Sequence, residues 1–261
     1  MARTVTKTKK TTEKSPEKKR KTSVKKSSET TRSSVRKSKN DVVLPAYIKE
    51  VYAPIYENME TSQNLDDNRF WTLLTLGYNN KLADSVCDEI NYQSSVLQIG
   101  ATFGKQIEKV ASKIGPYGSY DIIDVSKTQI ERCQNKFIYP YPEIGLINKD
   151  ATEPFDGNYD VIICYMLLHE IPEQAKHKIV NNALNAIRKG GKVIFVDYHN
   201  PSQCHLLKYV VRLFNRLYQP FAESLWKNEI RSFADNPDNY TWKKTLFFGK
   251  MYQKLVATRK K

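Results

Sequence analysis

Apolar residues along the chain fall into short continuous runs separated by segments in which they recur every three or four positions. This alternation predicts strands interleaved with helices. Runs of strand length are Ser95 to Gly100, Ser119 to Val125, Gly145 to Lys149, Tyr159 to Tyr165 and Lys192 to Tyr198. Helical spacing covers Lys105 to Ile114, Lys127 to Phe137 and Pro172 to Ile187. The links carry turn chemistry: Gly115-Pro116-Tyr117-Gly118, Asp156-Gly157-Asn158 and Lys189-Gly190-Gly191. Such an order predicts an α/β fold, a mostly parallel sheet with helices on both faces. At the end, Leu246 to Phe248 and Tyr252 to Thr258 read as two strands meeting at Gly249-Lys250. A closing hairpin there adds an antiparallel strand to the sheet.

Charge divides the chain unevenly. Residues 1–40 carry 15 Lys and Arg against 3 Asp and Glu, so of the chain's 42 and 28 only 27 and 25 remain beyond them, a net +2. The formal charge of +14 therefore belongs to an appendage, and no nucleic-acid partner is expected for the folded part. Rich in Lys, Ser and Thr and without aromatics, the appendage is expected to be disordered. Its readings are a solubilising extension, attraction to an anionic membrane, nucleic-acid contact or an organellar address. Residues 41–94 are expected to form a helical cap and residues 95–261 a cofactor-binding domain with a helical insertion at about 203–236. No run of about eighteen apolar residues and no signal pattern occurs, so the expected location is cytoplasmic and peripheral at the inner membrane, or mitochondrial. Cys87, Cys133, Cys164 and Cys204 lack metal-ligand spacing and are expected to be reduced thiols.

Candidate chemistry begins where the first strand ends. Gln98-Ile99-Gly100-Ala101-Thr102-Phe103-Gly104 occupies the place of a nucleotide-binding glycine turn, with an amphipathic segment directly after it. About twenty residues on, Asp124 closes the second strand, where an acid can accept hydrogen bonds from ribose hydroxyls. Ligands of open α/β sheets gather outside the carboxyl ends of the strands. Tyr165, His169 and Glu170 after the fourth strand and Asp197, Tyr198 and His199 after the fifth are therefore placed to meet them. His169, Glu170, Asp197 and His199 are expected to share one rim able to hold a proton or a divalent cation. Finally, His205 to Phe221 spaces Leu206, Leu207, Val210, Leu213, Phe214, Leu217 and Phe221 on one side of a basic amphipathic helix. Such a helix suits a membrane interface, the lining of a ligand channel or core packing.

The order of elements with the altered glycine loop resembles the class I S-adenosylmethionine-dependent methyltransferases over about Ser95 to Lys261. That loop reads acid-x-Gly-x-Gly-x-Gly in the family. Here Gln98 stands for the acid and Thr102 for the middle glycine, while Gly100 and Gly104 match. The resemblance implies S-adenosylmethionine bound by Gln98, Gly100, Thr102, Gly104 and Asp124, with Asp150 and Ala151 at adenine and Tyr165 nearby. Asp197-Tyr198-His199-Asn200-Pro201, His205-Leu206-Leu207 and the run Gln219 to Ile230 are similar to the RquA-like rhodoquinone biosynthesis family, as are Leu44-Pro45-Ala46-Tyr47 with Tyr52, Leu76-Gly77-Tyr78-Asn79 and Leu167-Leu168-His169-Glu170. This implies conversion of ubiquinone to rhodoquinone, an amino group replacing a ring methoxy group, with S-adenosylmethionine as amino donor and a divalent metal, manganese. Loosening the hold on the cofactor's ammonium through Gln98 fits such chemistry. His169 or His199 is expected to take the proton from the amine, Asp197, with or without a metal, to help polarise the quinone carbonyl, and Tyr198 to stand beside them. The alternative is methyl transfer to a quinone or another small lipophilic acceptor, and a non-catalytic binding subunit stands third.

Overall fold

In a computed structural model, which describes residues 1–2, 35–36, 42–137, 144–202 and 208–260, seven strands build one sheet. They are β1 (Ser95–Ile99), β2 (Ser119–Asp124), β3 (Ile144–Asn148), β4 (Tyr159–Tyr165), β5 (Ile187–Tyr198), β6 (Tyr240–Phe247) and β7 (Tyr252–Arg259). The sheet order is β3-β2-β1-β4-β5-β7-β6. β1 to β5 run parallel, whereas β7 pairs antiparallel with both β5 and β6. The α/β class and the closing antiparallel hairpin follow from the chain's own pattern. Beyond β3, Val35–Arg36 pairs in parallel with Leu146 and Ile147, so two residues of the segment expected to be disordered join the sheet edge. The rest of residues 1–40, apart from Met1 and Ala2, lies outside the described residues, as do Cys204, His205, Leu206 and Leu207.

Both faces of the parallel strands are buried because neighbouring side chains point to opposite sides and each side meets helices. Val96, Ile163 and Ile194 face one core with Leu82 and Val86 of α4 (Asn79–Cys87), Val110 and Ile114 of α5 (Gln106–Ile114) and Ile130 of α6 (Lys127–Lys136). Leu97, Ile162 and Phe195, one position along, face the other with Ile179 and Val180 of α7 (Glu173–Asn185). α6 starts at Ser126, whose hydroxyl accepts the Gln129 amide hydrogen at 3.2 Å and caps the first turn. α5 stops at Gly115, at φ +74°. Before β1 stand α1 (Ala53–Tyr56), α2 (Met59–Leu65) and α3 (Asn68–Leu74), and between β5 and β6 lie α8 (Lys208–Tyr218) and α9 (Ser224–Lys227). Buried Lys176 on α7 ties in that insertion, donating to the carbonyls of Ile171 and Phe221 and to the Ser224 hydroxyl; burial pulls its pKa down to about 8.

Two local expectations change. Lys189-Gly190-Gly191 is not a free turn but part of β5, where the register shifts from Tyr159↔Ile187 to Val161↔Lys192. A glycine at a bulge looks like a turn in sequence, and only pairing with the neighbouring strand separates the two. For the same reason α7 ends at Asn185 and Ile187 is already strand. The first strand of the hairpin begins at Tyr240, six residues before the expected Leu246, because its outward positions are polar and weaken the apolar signal. Cys87, Cys133 and Cys164 are free thiols.

Candidate active site

Strand order reverses between β1 and β4, since the segment after β1 crosses to β2 on one side while β4 pairs on the other. A crevice opens at the carboxyl ends of strands at such a point. Here it is a cleft of about 1430 Å³, mouth included, walled by the loop after β1, the ends of β2, β4 and β5, and the N-terminal helices. Gly100, Thr102, Gly104, Asp124, Asp150, Ala151, Tyr165, His169 and Tyr198 all line it. Gln98, Asp197 and His199 do not.

The loop is shaped by left-handed backbone at Gly100, φ +89°, and Gly104, φ +74°. Asp124 fastens it: one carboxylate oxygen accepts the Ala101 amide hydrogen at 2.7 Å and the other accepts that of Ser126 at 2.8 Å. Gln98 is wholly buried beneath the loop. Its amide donates to the Gly100 carbonyl and the Thr102 hydroxyl, both at 3.1 Å, and accepts from the Tyr120 hydroxyl at 2.5 Å. The expected role of Gln98 toward the cofactor's ammonium is therefore replaced by a different one, holding the loop from below. The Thr102 hydroxyl donates its own hydrogen bond to Gln106 Oε1 at 2.8 Å.

On the opposite wall, His169 Nδ1 lies 2.8 Å from Asp197 Oδ1. Asp197 is buried at the end of β5, and its carboxylate also accepts from the amides of Leu168 at 2.7 Å and Tyr198 at 2.7 Å. An acceptor fixed this way places the hydrogen of neutral His169 on Nδ1 and leaves Nε2 with a lone pair. Nε2 lies 3.7 Å from Glu170, whose carboxylate accepts the Tyr56 hydroxyl hydrogen at 2.7 and 2.8 Å. Burial works against the charged imidazole, yet the Asp197 charge and hydrogen bond outweigh it and raise the His169 pKa above its ordinary 6.5. Burial likewise raises Glu170, against the opposing pull of His169 and Tyr56.

His199 leaves this group. Its Nδ1 sits 3.1 Å from the carbonyls of Asn200 and Lys250 at the hairpin turn, and burial lowers its pKa. The expected rim of four titratable groups is thus reduced to His169 and Glu170 on the wall with Asp197 behind His169, because the carbonyls of Asn200 and Lys250 take up the His199 ring. Among the described residues no group of three or more His, Cys, Asp or Glu side chains is arranged to hold a metal ion. With all the Asp197 contacts made inside the protein, the described residues do not fit the divalent metal.

Several wall residues carry no local sequence signal. Phe103 is stacked between Tyr56 and Trp71, ring centroids 5.9 and 5.4 Å away, with the Arg132 guanidinium 4.4 Å from its own centroid. Asp66, following α2, accepts the Gly104 amide hydrogen at 2.7 Å and pairs with Arg132 at 2.9 Å and Lys136 at 3.0 Å. Arg132 in turn donates to the carbonyls of Ala101 and Thr102. These contacts join the N-terminal helices to the glycine loop across more than thirty residues, which no periodicity records. Among the buried polar atoms on the cleft wall that have no protein partner are Tyr52 Oη and Gln106 Nε2. A buried polar atom without a partner costs about 1–3 kcal/mol, so a polar ligand at the loop would be met by groups already desolvated. Glycines that admit a ligand, an acid at the end of β2 and these two atoms together fit a nucleoside cofactor.

Residues 96–191, less than half of the chain, match the family described as methyltransferase domain. No curated protein sequence matches the chain. Solved structures with the same fold include human N-acetylserotonin methyltransferase in complex with S-adenosylmethionine, TM-score 0.57 at 13% identity over 84% of this chain and 61% of that one. Mitomycin 7-O-methyltransferase MmcR gives 0.57 at 14% identity, over 80% and 60%. An O-methyltransferase family protein from Burkholderia thailandensis gives 0.54 at 14%, over 78% and 63%. The chain thus spans about three fifths of the length of these structures. Identities this low speak for the fold, and amination of ubiquinone finds no support among them. The chain therefore has the class I S-adenosylmethionine-dependent methyltransferase fold, and its residues 96–191 are similar to a methyltransferase domain.

Proposed function

We propose that this protein transfers a methyl group from S-adenosylmethionine to an ionisable hydroxyl of a small, planar, lipophilic acceptor such as a hydroxylated quinone or phenol. The observation that carries this reading is the buried His169–Asp197 pair opening onto the same cleft as the glycine loop. When bound, S-adenosylmethionine supplies an electrophilic methyl group and leaves as S-adenosylhomocysteine. Asp124 would hold the ribose hydroxyls, and Asp150 with Ala151 the adenine. His169 Nε2 would take the acceptor's hydroxyl proton, leaving an oxygen electron pair free to receive that methyl group. The resulting imidazolium lies between Asp197 and Glu170, which stabilise it. Tyr165 and Tyr198 would supply aromatic wall for a ring.

Incubation with methyl-labelled S-adenosylmethionine and a panel of hydroxylated quinones and phenols, read by mass spectrometry, tests the proposal. Label in the acceptor with equimolar S-adenosylhomocysteine is expected; no transfer to any member would refute it. Amination of ubiquinone is a second reading, supported by the Asp197 to Pro201 and Gln219 to Ile230 sequence elements. The same assay with short-chain ubiquinone distinguishes it, since methoxy would be exchanged for amino.

Two further outcomes follow from the geometry. Asp124→Ala is expected to weaken S-adenosylmethionine binding about tenfold to a hundredfold, by loss of charge-assisted hydrogen bonds, measured by titration calorimetry. The acid limb of the kcat/KM profile should lie above pH 6.5, because His169 must be neutral to act and Asp197 holds its pKa up. Asp197→Asn removes that charge, leaves the opposing effect of burial, and should move the limb to lower pH. A limb that does not move would detach His169 from the reaction.

A further inference from the structure

An amphipathic helix ordinarily turns its apolar side to the core. α8 turns most of its described apolar residues outward, although Val211 packs partly against the core. Asn215 is completely buried, and neither atom of its amide finds a hydrogen-bond partner. Meanwhile Tyr209, Val210, Leu213 and Leu217 are 74%, 63%, 61% and 65% exposed. Their spacing of one, three and four residues sets them on one strip of the helix surface. Along one flank of that strip run Lys208, Arg212 and Arg216, and α8 contains no acidic residue. Among the described residues the acid paired to this flank is Glu223, 3.5 Å from Arg212. α3 repeats the theme with Phe70, Leu73 and Leu76 exposed in or just after it, while Asn68, Trp71 and Thr75 line the cleft. Gln219, directly after α8, lines it too.

We propose that α8 docks on an anionic membrane surface, its apolar strip sunk among the acyl chains and its cationic flank level with the headgroups. Charge decides between occupants. A continuous cationic flank beside aliphatic and aromatic side chains is the arrangement of an interfacial helix. It would repel an identical helix on a second copy. No helix among the described residues is long and apolar enough to cross a membrane. Docking sets the cleft beside the bilayer whatever reaction the cleft performs, and gives a lipid-dissolved acceptor a short path to it.

The test is co-flotation of the full chain with phosphatidylcholine vesicles, with and without phosphatidylglycerol, at low and high salt. Flotation with the anionic vesicles is expected. Leu213→Glu combined with Leu217→Glu should reduce it about tenfold or more, since two side chains lose their apolar burial. Both positions are exposed, so thermal unfolding of the double variant should match that of the unaltered chain. The basic residues 1–40 can also attract anionic vesicles, but that attraction leaves position 209 in water. A Tyr209→Trp probe should therefore shift to the blue with anionic vesicles and be quenched by brominated lipid. Equal flotation of the double variant, or a probe that stays water-like, would overturn the proposal. So would a chain that never floats and instead forms a dimer abolished by the two glutamates.

Discussion

His169→Ala is expected to slow methyl transfer by about two to four orders of magnitude, the usual contribution of a positioned general base. Cofactor binding should survive, because His169 stands at the ends of β4 and β5 while the glycine loop and Asp124 are held by other contacts. Initial rates at saturating cofactor, with calorimetric titration of S-adenosylmethionine on the same preparation, separate the two. His199→Ala serves as the contrast. Its ring is bound to the carbonyls of Asn200 and Lys250 and does not line the cleft, so turnover should stay within a few-fold of the unaltered chain. If His169→Ala turns over normally, or if His199→Ala shows the large loss, the base has been assigned to the wrong histidine.

Gln98→Glu is expected to cost about 3 kcal/mol or more of folding stability at neutral pH, the scale of burying an unpaired charge. Tyr120 could still donate to the new carboxylate. The Gly100 carbonyl, however, now receives a hydrogen from the Gln98 amide and would face a second acceptor. Burial raises the pKa of such a carboxyl in the folded state, so the penalty should shrink as pH falls toward the unfolded value and grow above it. Urea unfolding of the variant and the unaltered chain, compared at each pH, reads the difference. A variant as stable as its parent at neutral pH would mean that the loop does not depend on Gln98 from below.

These two residues also mark how far local sequence reaches. The spacing of Gly100, Gly104 and Asp124 at the ends of predicted strands was readable because strands of an open sheet deliver their carboxyl ends to one crevice. The same logic brought His169 and Asp197 to one edge. It could not tell Asp197 from His199, two residues apart on one side of a strand but at its end, where the hairpin turn captures the histidine. Gln98 was legible as a departure from an acidic position, but its direction was not. Whether an amide at that place faces the ligand or the core depends on Tyr120, twenty-two positions away. Asp66, Arg132 and Phe103 had no signal at all, because their partners come from separate elements.

Periodicity and composition were enough to determine the α/β sheet, its closing hairpin and the strand ends where chemistry gathers, since these depend on patterns two to four residues long. Tertiary structure alone decided that Lys189-Gly190-Gly191 is a bulge within β5, that His169 rather than His199 pairs with Asp197, and that α8 turns its leucines outward. Each of those is settled by a neighbour distant in the chain. An amphipathic pattern reports that a helix has two faces, but which face is buried is fixed by what packs against it.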